Sequence, residues 1–95
     1  MYNTFQGKNV LITGGTGSFG KNFAKHLLKK TKLKKLIIFS RDEFKQHHLA
    51  NELTDNRVRF FLGDIRDRER LNRAFQDIDI VIHAAALKQV PALEY

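Results

Sequence analysis

Beginning at Asn9, short apolar runs alternate with amphipathic stretches of about ten residues, the pattern of repeated βαβ units that build a parallel sheet. Strands are predicted at Asn9 to Thr13, Leu36 to Ser40, Val58 to Gly63 and Ile78 to Ala84. Between the first two, Phe19, Phe23, Ala24, Leu27 and Leu28 recur at i, i+4, i+5, i+8 and i+9, so a first helix offers one apolar stripe to the sheet. A second helix is expected over Asp42 to Leu53, which carries Phe44, His47, Ala50 and Leu53 at spacings near three. A third is expected over Asp67 to Phe75, with Leu71, Ala74 and Phe75 behind an acidic start. Right-handed crossovers then fix the strand order as 3-2-1-4. The fourth run is apolar at Ile78, Ile80, Val81, Ile82 and Ala84 to Ala86, as in a strand covered on both faces. An apolar edge is a liability that proteins normally cover, so these residues are expected to be the N-terminal part of a longer domain, truncated before a fifth strand.

Composition changes this picture little. The chain has 95 residues, 42% of them hydrophobic, enough for one compact unit. Without cysteine there are no disulfides, thiolate metal sites or cysteine nucleophiles. No apolar run approaches the roughly 20 residues of a spanning helix, and Met1 to Lys8 lacks a signal-peptide core, so a soluble, cytoplasmic protein with no membrane partner is expected. The net charge of +7 draws on Lys25, Lys29, Lys30, Lys32, Lys34 and Lys35. These fall on the outer face and C-terminal end of the first helix, where cations are solvated and face the negative end of the dipole. With no aromatic interleaving, no nucleic-acid partner is expected.

The chemistry gathers at the ends of the strands. Thr13-Gly14-Gly15-Thr16-Gly17-Ser18-Phe19-Gly20 leaves a strand and opens a helix. Helix N-terminal amides and a positive dipole hold a pyrophosphate there, provided Cβ atoms do not stand in the way. Gly14 permits the tight turn, Gly17 the close backbone approach, and Gly20 the close contact of helix and strand. The fold class is thus α/β, a Rossmann-like three-layer αβα arrangement of order 3-2-1-4 with a dinucleotide site. At the end of the second strand, where NAD enzymes carry a carboxylate for the ribose 2′-hydroxyl, stands Ser40-Arg41-Asp42. Arg41 suits a 2′-phosphate bidentately, Ser40 donates to the same group, and Lys45 is a second cation one turn on, which favours NADP over NAD. The plainer reading has Ser40 or Asp42 capping the second helix, and the two are compatible. Asp64 closes the third strand as an adenine reader or as a turn carboxylate. Small alanines after the fourth strand leave room for the nicotinamide ribose. Lys88 follows as a cofactor or substrate contact, or as a surface lysine. His83 is expected to be a satisfied core histidine, and His26, His47 and His48 to lie on helix surfaces.

The Gly-x-x-Gly-x-x-Gly spacing resembles the extended short-chain dehydrogenase/reductases. Phe39-Ser40-Arg41-Asp42-Glu43, Gly63-Asp64-Ile65-Arg66-Asp67 and Ala85-Ala86-Leu87-Lys88-Gln89-Val90-Pro91 narrow this. Together they resemble the inverting UDP-N-acetylglucosamine 4,6-dehydratases of bacterial surface-glycan synthesis. That resemblance implies NADP contacts from Gly14, Thr16, Gly17, Ser18, Phe19 and Gly20, from Ser40, Arg41, Asp42, Glu43, Phe44 and Lys45, from Asp64 and Ile65 beside adenine, and from Ala84. Lys88 would touch both cofactor and UDP-sugar. It also implies oxidation at sugar C4, loss of water across C5 and C6 and return of hydride to C6. A Tyr-x-x-x-Lys array performs such chemistry, and none is present, since Tyr2 precedes the fold and Tyr95 has no lysine four residues on. No catalytic residue is therefore expected here, and the full-length protein is expected to be a homo-oligomer. A 4-epimerase of the same branch and a noncatalytic NADP sensor are the rival readings.

Overall fold

The computed structural model describes residues 2–14 and 18–84. A short 3-10 turn, Tyr2–Phe5, precedes strand β1 (Asn9–Thr13), helix α1 (Ser18–Lys30), β2 (Lys35–Ser40), α2 (Glu43–Glu52), β3 (Val58–Leu62), α3 (Arg68–Ala74) and β4 (Ile80–His83). All strand pairs are parallel and the order is β3-β2-β1-β4, as the sequence pattern predicts. The predicted strand boundaries shift by at most two residues.

Alternation along the strands divides the core into two layers. Val10, Ile12, Leu36, Ile38 and Val58 point to one face, where they join Ala24 and Leu27 of α1 and Leu49 of α2. Leu11 and Phe39 point to the other and meet Ala74 of α3. Crossover handedness explains the division. The chain moves outward from β1 to β2 to β3, which puts α1 and α2 on one face, then returns past β1 to β4, which puts α3 on the opposite one. At the β4 edge Val81 is left 48% exposed.

All three predicted helix stripes need correction, the third because Phe75 stands 38% exposed beyond Leu71 and Ala74. In α2 the buried residues are Gln46 and Leu49, followed by Leu53 at the C-cap, whereas Phe44 is 84% exposed; His47 lies on the surface, as expected of it. The near-three spacing of Phe44, His47 and Ala50 imitated an inner face. The true one contains a polar residue whose amide finds partners inside. In α1 the stripe holds at Phe23, Ala24, Leu27 and Leu28, but Phe19 stands half out of the protein, stacked on Phe23 with centroids 6.2 Å apart. Asp42 and Asp67 cap α2 and α3, accepting from the amides of Lys45 and Arg70.

The C-terminal end of α1 is closed from outside by Arg57, which donates to the carbonyls of Leu28 at 2.6 Å and Thr31 at 3.1 Å. Asp55 orients that guanidinium, accepting from Nε at 3.0 Å and Nη2 at 2.8 Å. These bonds, followed by one from the Arg57 amide, hold the Asp55 carboxyl below its ordinary range. A lowered folded-state pKa contributes stability above the unfolded value of about 3.9 and loses it as the pH falls through the folded one. Arg57→Ala is therefore expected to cost about 1–2 kcal/mol near neutral pH, mostly through orphaned helix carbonyls. Urea unfolding repeated below about pH 3.9 should show a smaller difference between the variant and the parent, because the Asp55 contribution is then fading in the parent as well.

Candidate dinucleotide site

The four strands end in register. Thr13 lies opposite Phe39 and His83, and Ser40 lies opposite Leu62, so the segments that follow all leave one edge of the sheet. Two backbone bonds bind these exits together. Gly14 N–H donates to the Phe39 carbonyl at 3.0 Å, and Gly63 N–H donates to that of Ser40 at 2.8 Å. Gly14 has φ +69°, a left-handed conformation that glycine adopts without steric cost. Gly63 is required for space, since a Cβ there would meet Arg70 Cγ at 2.7 Å and the Phe39 ring at 3.1 Å.

Most of the expected residues come together here. Gly14 sits at the turn, Ser18 begins α1, and Gly20 is buried in its first turn. Thr16, Gly17 and Lys88 lie outside the described residues. Ser40 is buried at the end of β2, Arg41 projects beyond it with its side chain 73% exposed, and Glu43, Phe44 and Lys45 are exposed around the start of α2. Asp64 lies one residue past Gly63, Ile65 is half-exposed beside it, and Ala84 is buried at the exit of β4. His83 departs from expectation. It is an exposed residue, not a core one, and its Nδ1 makes a close hydrogen bond with Thr13 Oγ1 across the β1–β4 boundary.

One residue of the site escaped the sequence reading. Gln46 Nε2 donates to Ser40 Oγ at 2.9 Å, to the Phe61 carbonyl at 3.1 Å and to the Ser40 carbonyl at 3.3 Å. Two carbonyl acceptors require the amide nitrogen on that side, which settles the orientation of the group. The Ser40 hydroxyl thus accepts from Gln46 and keeps its own proton for another acceptor. The available signal was spacing alone, because Gln46, Leu49 and Leu53 fall three and four apart.

Charge is concentrated at the β2 and β3 exits. Asp64 accepts from the Arg66 amide at 2.9 Å and from Arg66 Nη2 at 2.7 Å, and Arg41 Nη1 stands 3.5 Å from the same carboxylate. Arg66 above all, then Arg41, holds the Asp64 carboxyl far below the usual carboxylate range. The Asp64 carboxylate accepts from the amide two residues on, as a turn carboxylate does, and the adenine role stays open. Arg41 and Arg66 share one partly buried carboxylate, and Lys45, whose amide is bound by the capping Asp42, adds a third cation in the first turn of α2, a donor set suited to phosphate. Among the described residues there is no cluster of acidic and histidine side chains able to hold a metal, and no helix long and apolar enough to cross a membrane.

A parallel αβα sheet of this order, with a glycine turn leading into a helix at its carboxyl edge, defines the Rossmann-like class of dinucleotide-binding folds. The chain belongs to the polysaccharide biosynthesis protein family, whose model matches residues 10–95. It is 57% identical over 91 residues to the UDP-N-acetylglucosamine 4,6-dehydratase (inverting) of Campylobacter jejuni, covering 96% of this chain and 27% of that protein. It is 45% identical over 94 residues to the UDP-glucose 4-epimerase of Rickettsia bellii, covering 96% of this chain and 28% of the epimerase. The chain thus spans about a quarter of the length of the curated relatives it matches. Among solved structures, Pen from Bacillus thuringiensis superposes with a TM-score of 0.79 at 42% identity, over 90% of this chain and 27% of that one. The dTDP-glucose 4,6-dehydratase of Bacillus anthracis, solved in complex with NAD, superposes with a TM-score of 0.70 over 80% of this chain and 26% of that one, and at 24% identity it speaks for the fold alone.

Proposed function

We propose that the chain is the NADP-binding portion of a nucleotide-sugar dehydratase that converts UDP-N-acetylglucosamine to a 4-keto-6-deoxy UDP-sugar in surface-glycan biosynthesis. The observation that carries this is the meeting of Gly14, Ser40, Arg41 and Lys45 at one sheet edge in a chain 57% identical to a dehydratase of that specificity. NADP, when bound, supplies the hydride acceptor for the sugar. The residues of this chain bind and orient it. Amides at the start of α1 face the pyrophosphate, with Thr16 and Gly17 assigned there from sequence. Arg41 and Lys45 take the 2′-phosphate, and the free proton of Ser40 adds a third donor. Asp64 accepts from the adenine amino group beside Ile65, Ala84 lines the cofactor, and Lys88 reaches both cofactor and sugar. Cytoplasmic location and a homo-oligomeric full-length protein accompany this reading.

The catalytic Tyr-x-x-x-Lys array lies beyond these residues in this reading, so the isolated chain is expected to bind cofactor without turnover. A 4-epimerase is the second reading, favoured by the 45% identity to the Rickettsia enzyme. Full-length protein incubated with UDP-N-acetylglucosamine and NADP⁺ distinguishes them by NMR of the product. A 4-keto-6-deoxy sugar is expected, whereas a C4 epimer that keeps its C6 hydroxyl would favour the epimerase. A chain that binds NADP but carries no Tyr-x-x-x-Lys would instead be a sensor. For the cofactor itself, Arg41→Ala is expected to weaken NADP⁺ about tenfold or more, the loss of one charge-assisted contact, with little effect on NAD⁺. Titration of both nucleotides checks it, and equal losses would remove the 2′-phosphate assignment.

A further inference from the structure

We propose that Arg66 sets the choice between NADP and NAD by occupying the Asp64 carboxylate, so that the Arg41 guanidinium stays available to a 2′-phosphate. The inference rests on the cofactor reading above, which gives Arg66 no part. Its basis is the unequal sharing of one carboxylate by two guanidinium groups. Arg66 surrounds Asp64. Its amide and Nε donate to Oδ1 at 2.9 and 3.1 Å, and Nη2 donates to Oδ2 at 2.7 Å. Arg41 reaches only the outer side of Oδ2, at 3.5 Å, with its side chain 73% exposed. A carboxylate offers about four acceptor positions, and Arg66 takes most of them.

Without Arg66 that balance reverses. Arg41 would become the sole partner of Asp64, its charge spent on the carboxylate at the β3 exit instead of facing solvent. An arriving 2′-phosphate would then meet an Arg41–Asp64 pair of no net charge instead of an available guanidinium. NAD, which carries only a 2′-hydroxyl there, loses far less from that neutralisation. Adenine is common to both nucleotides, so changes in adenine contacts cancel in the ratio of their affinities. The ratio therefore reports the 2′ position alone.

The test uses full-length protein and the dissociation constants of NADP⁺ and NAD⁺ for the parent, Arg66→Gln and the double variant Arg66→Gln/Asp64→Asn. Arg66→Gln is expected to lower the preference for NADP⁺ about fivefold, the influence of a unit charge about 4 Å away in water. The double variant should regain the preference, because Arg41 is released once the carboxylate is gone. Arg66 is exposed, and thermal unfolding close to the parent's serves as the check that each variant folds. A parent that prefers NADP⁺ together with an unchanged ratio in Arg66→Gln would reduce Arg66 to a turn residue and overturn the inference. Failure of the double variant to recover would also overturn it, since the effect would then not run through Asp64. A parent that prefers NAD⁺ would remove the cofactor reading itself, and this inference with it.

Discussion

Gly14→Val is expected to abolish measurable NADP⁺ binding and to lower stability by about 2 kcal/mol. Gly14 occupies φ +69° at the point where β1 ends, and its amide is tied to the Phe39 carbonyl at 3.0 Å. An L-residue in this region costs roughly 1–2 kcal/mol, and a β-branched one more, because two γ-carbons crowd the backbone. The variant can relieve that strain only by rotating the turn, which breaks the bond to β2 and swings the start of α1 away from the phosphate position. Binding and stability should therefore fall together. Gly14→Asn separates the two causes, since asparagine tolerates the left-handed region but still carries a Cβ. Thermal unfolding of Gly14→Asn should lie close to the parent. If its NADP⁺ affinity also stays close, the turn geometry matters and the missing Cβ does not; if affinity is lost while stability is kept, the cofactor backbone passes against this position. A Gly14→Val protein that bound NADP⁺ normally would remove the glycine turn from the site.

The same turn shows why much of the architecture is legible from sequence. Val10-Leu11-Ile12, Leu36 to Phe39 and Ile80 to Ile82 are β-rich apolar runs of strand length, and glycine or a capping aspartate punctuates most of their ends. Once they are read as parallel strands, crossover handedness leaves few arrangements, and the order and the side taken by each helix follow. Local signals also point to a cap at Ser40 or Asp42, which falls to Asp42, and to an acidic start of the third helix, where Asp67 is the cap. What was not legible depends on partners distant in sequence. His83 looked like a core residue because its neighbours are apolar, yet it lies at the exit of an edge strand and pairs with Thr13, 70 residues away. Phe44 fits the near-three spacing yet stands exposed, while Gln46, a polar residue of a type mostly found at the surface, takes the inner position. Their actual places are set by acceptors at the ends of β2 and β3. No periodicity within α2 records that demand.

Gln46 consequently carries the second large effect. Gln46→Leu keeps the volume but removes the donor that serves Phe61 O, Ser40 Oγ and Ser40 O. The Ser40 carbonyl retains the Gly63 amide at 2.8 Å and the Phe61 carbonyl keeps its place in the β2–β3 ladder, so the cost falls mainly on the serine hydroxyl, about 1–2 kcal/mol in all. Gln46→Glu is the sharper variant. It preserves shape, but an ionised carboxylate there would face two carbonyl oxygens, so at neutral pH it should be less stable than Gln46→Leu. Burial and these acceptors favour the neutral acid, which raises the folded-state pKa above the unfolded value of about 4.3. The penalty is then full above the folded pKa and fades as the pH falls through it, since the protonated acid supplies one O–H donor. Denaturant unfolding from neutral pH down to about pH 5 should show Gln46→Glu gaining on the parent while Gln46→Leu keeps a constant deficit. Both variants free Ser40 from its anchor, so NADP⁺ affinity should fall more than NAD⁺ affinity in each. Equal losses for the two nucleotides would mean that Gln46 supports the sheet edge without helping Ser40 to meet the 2′-phosphate.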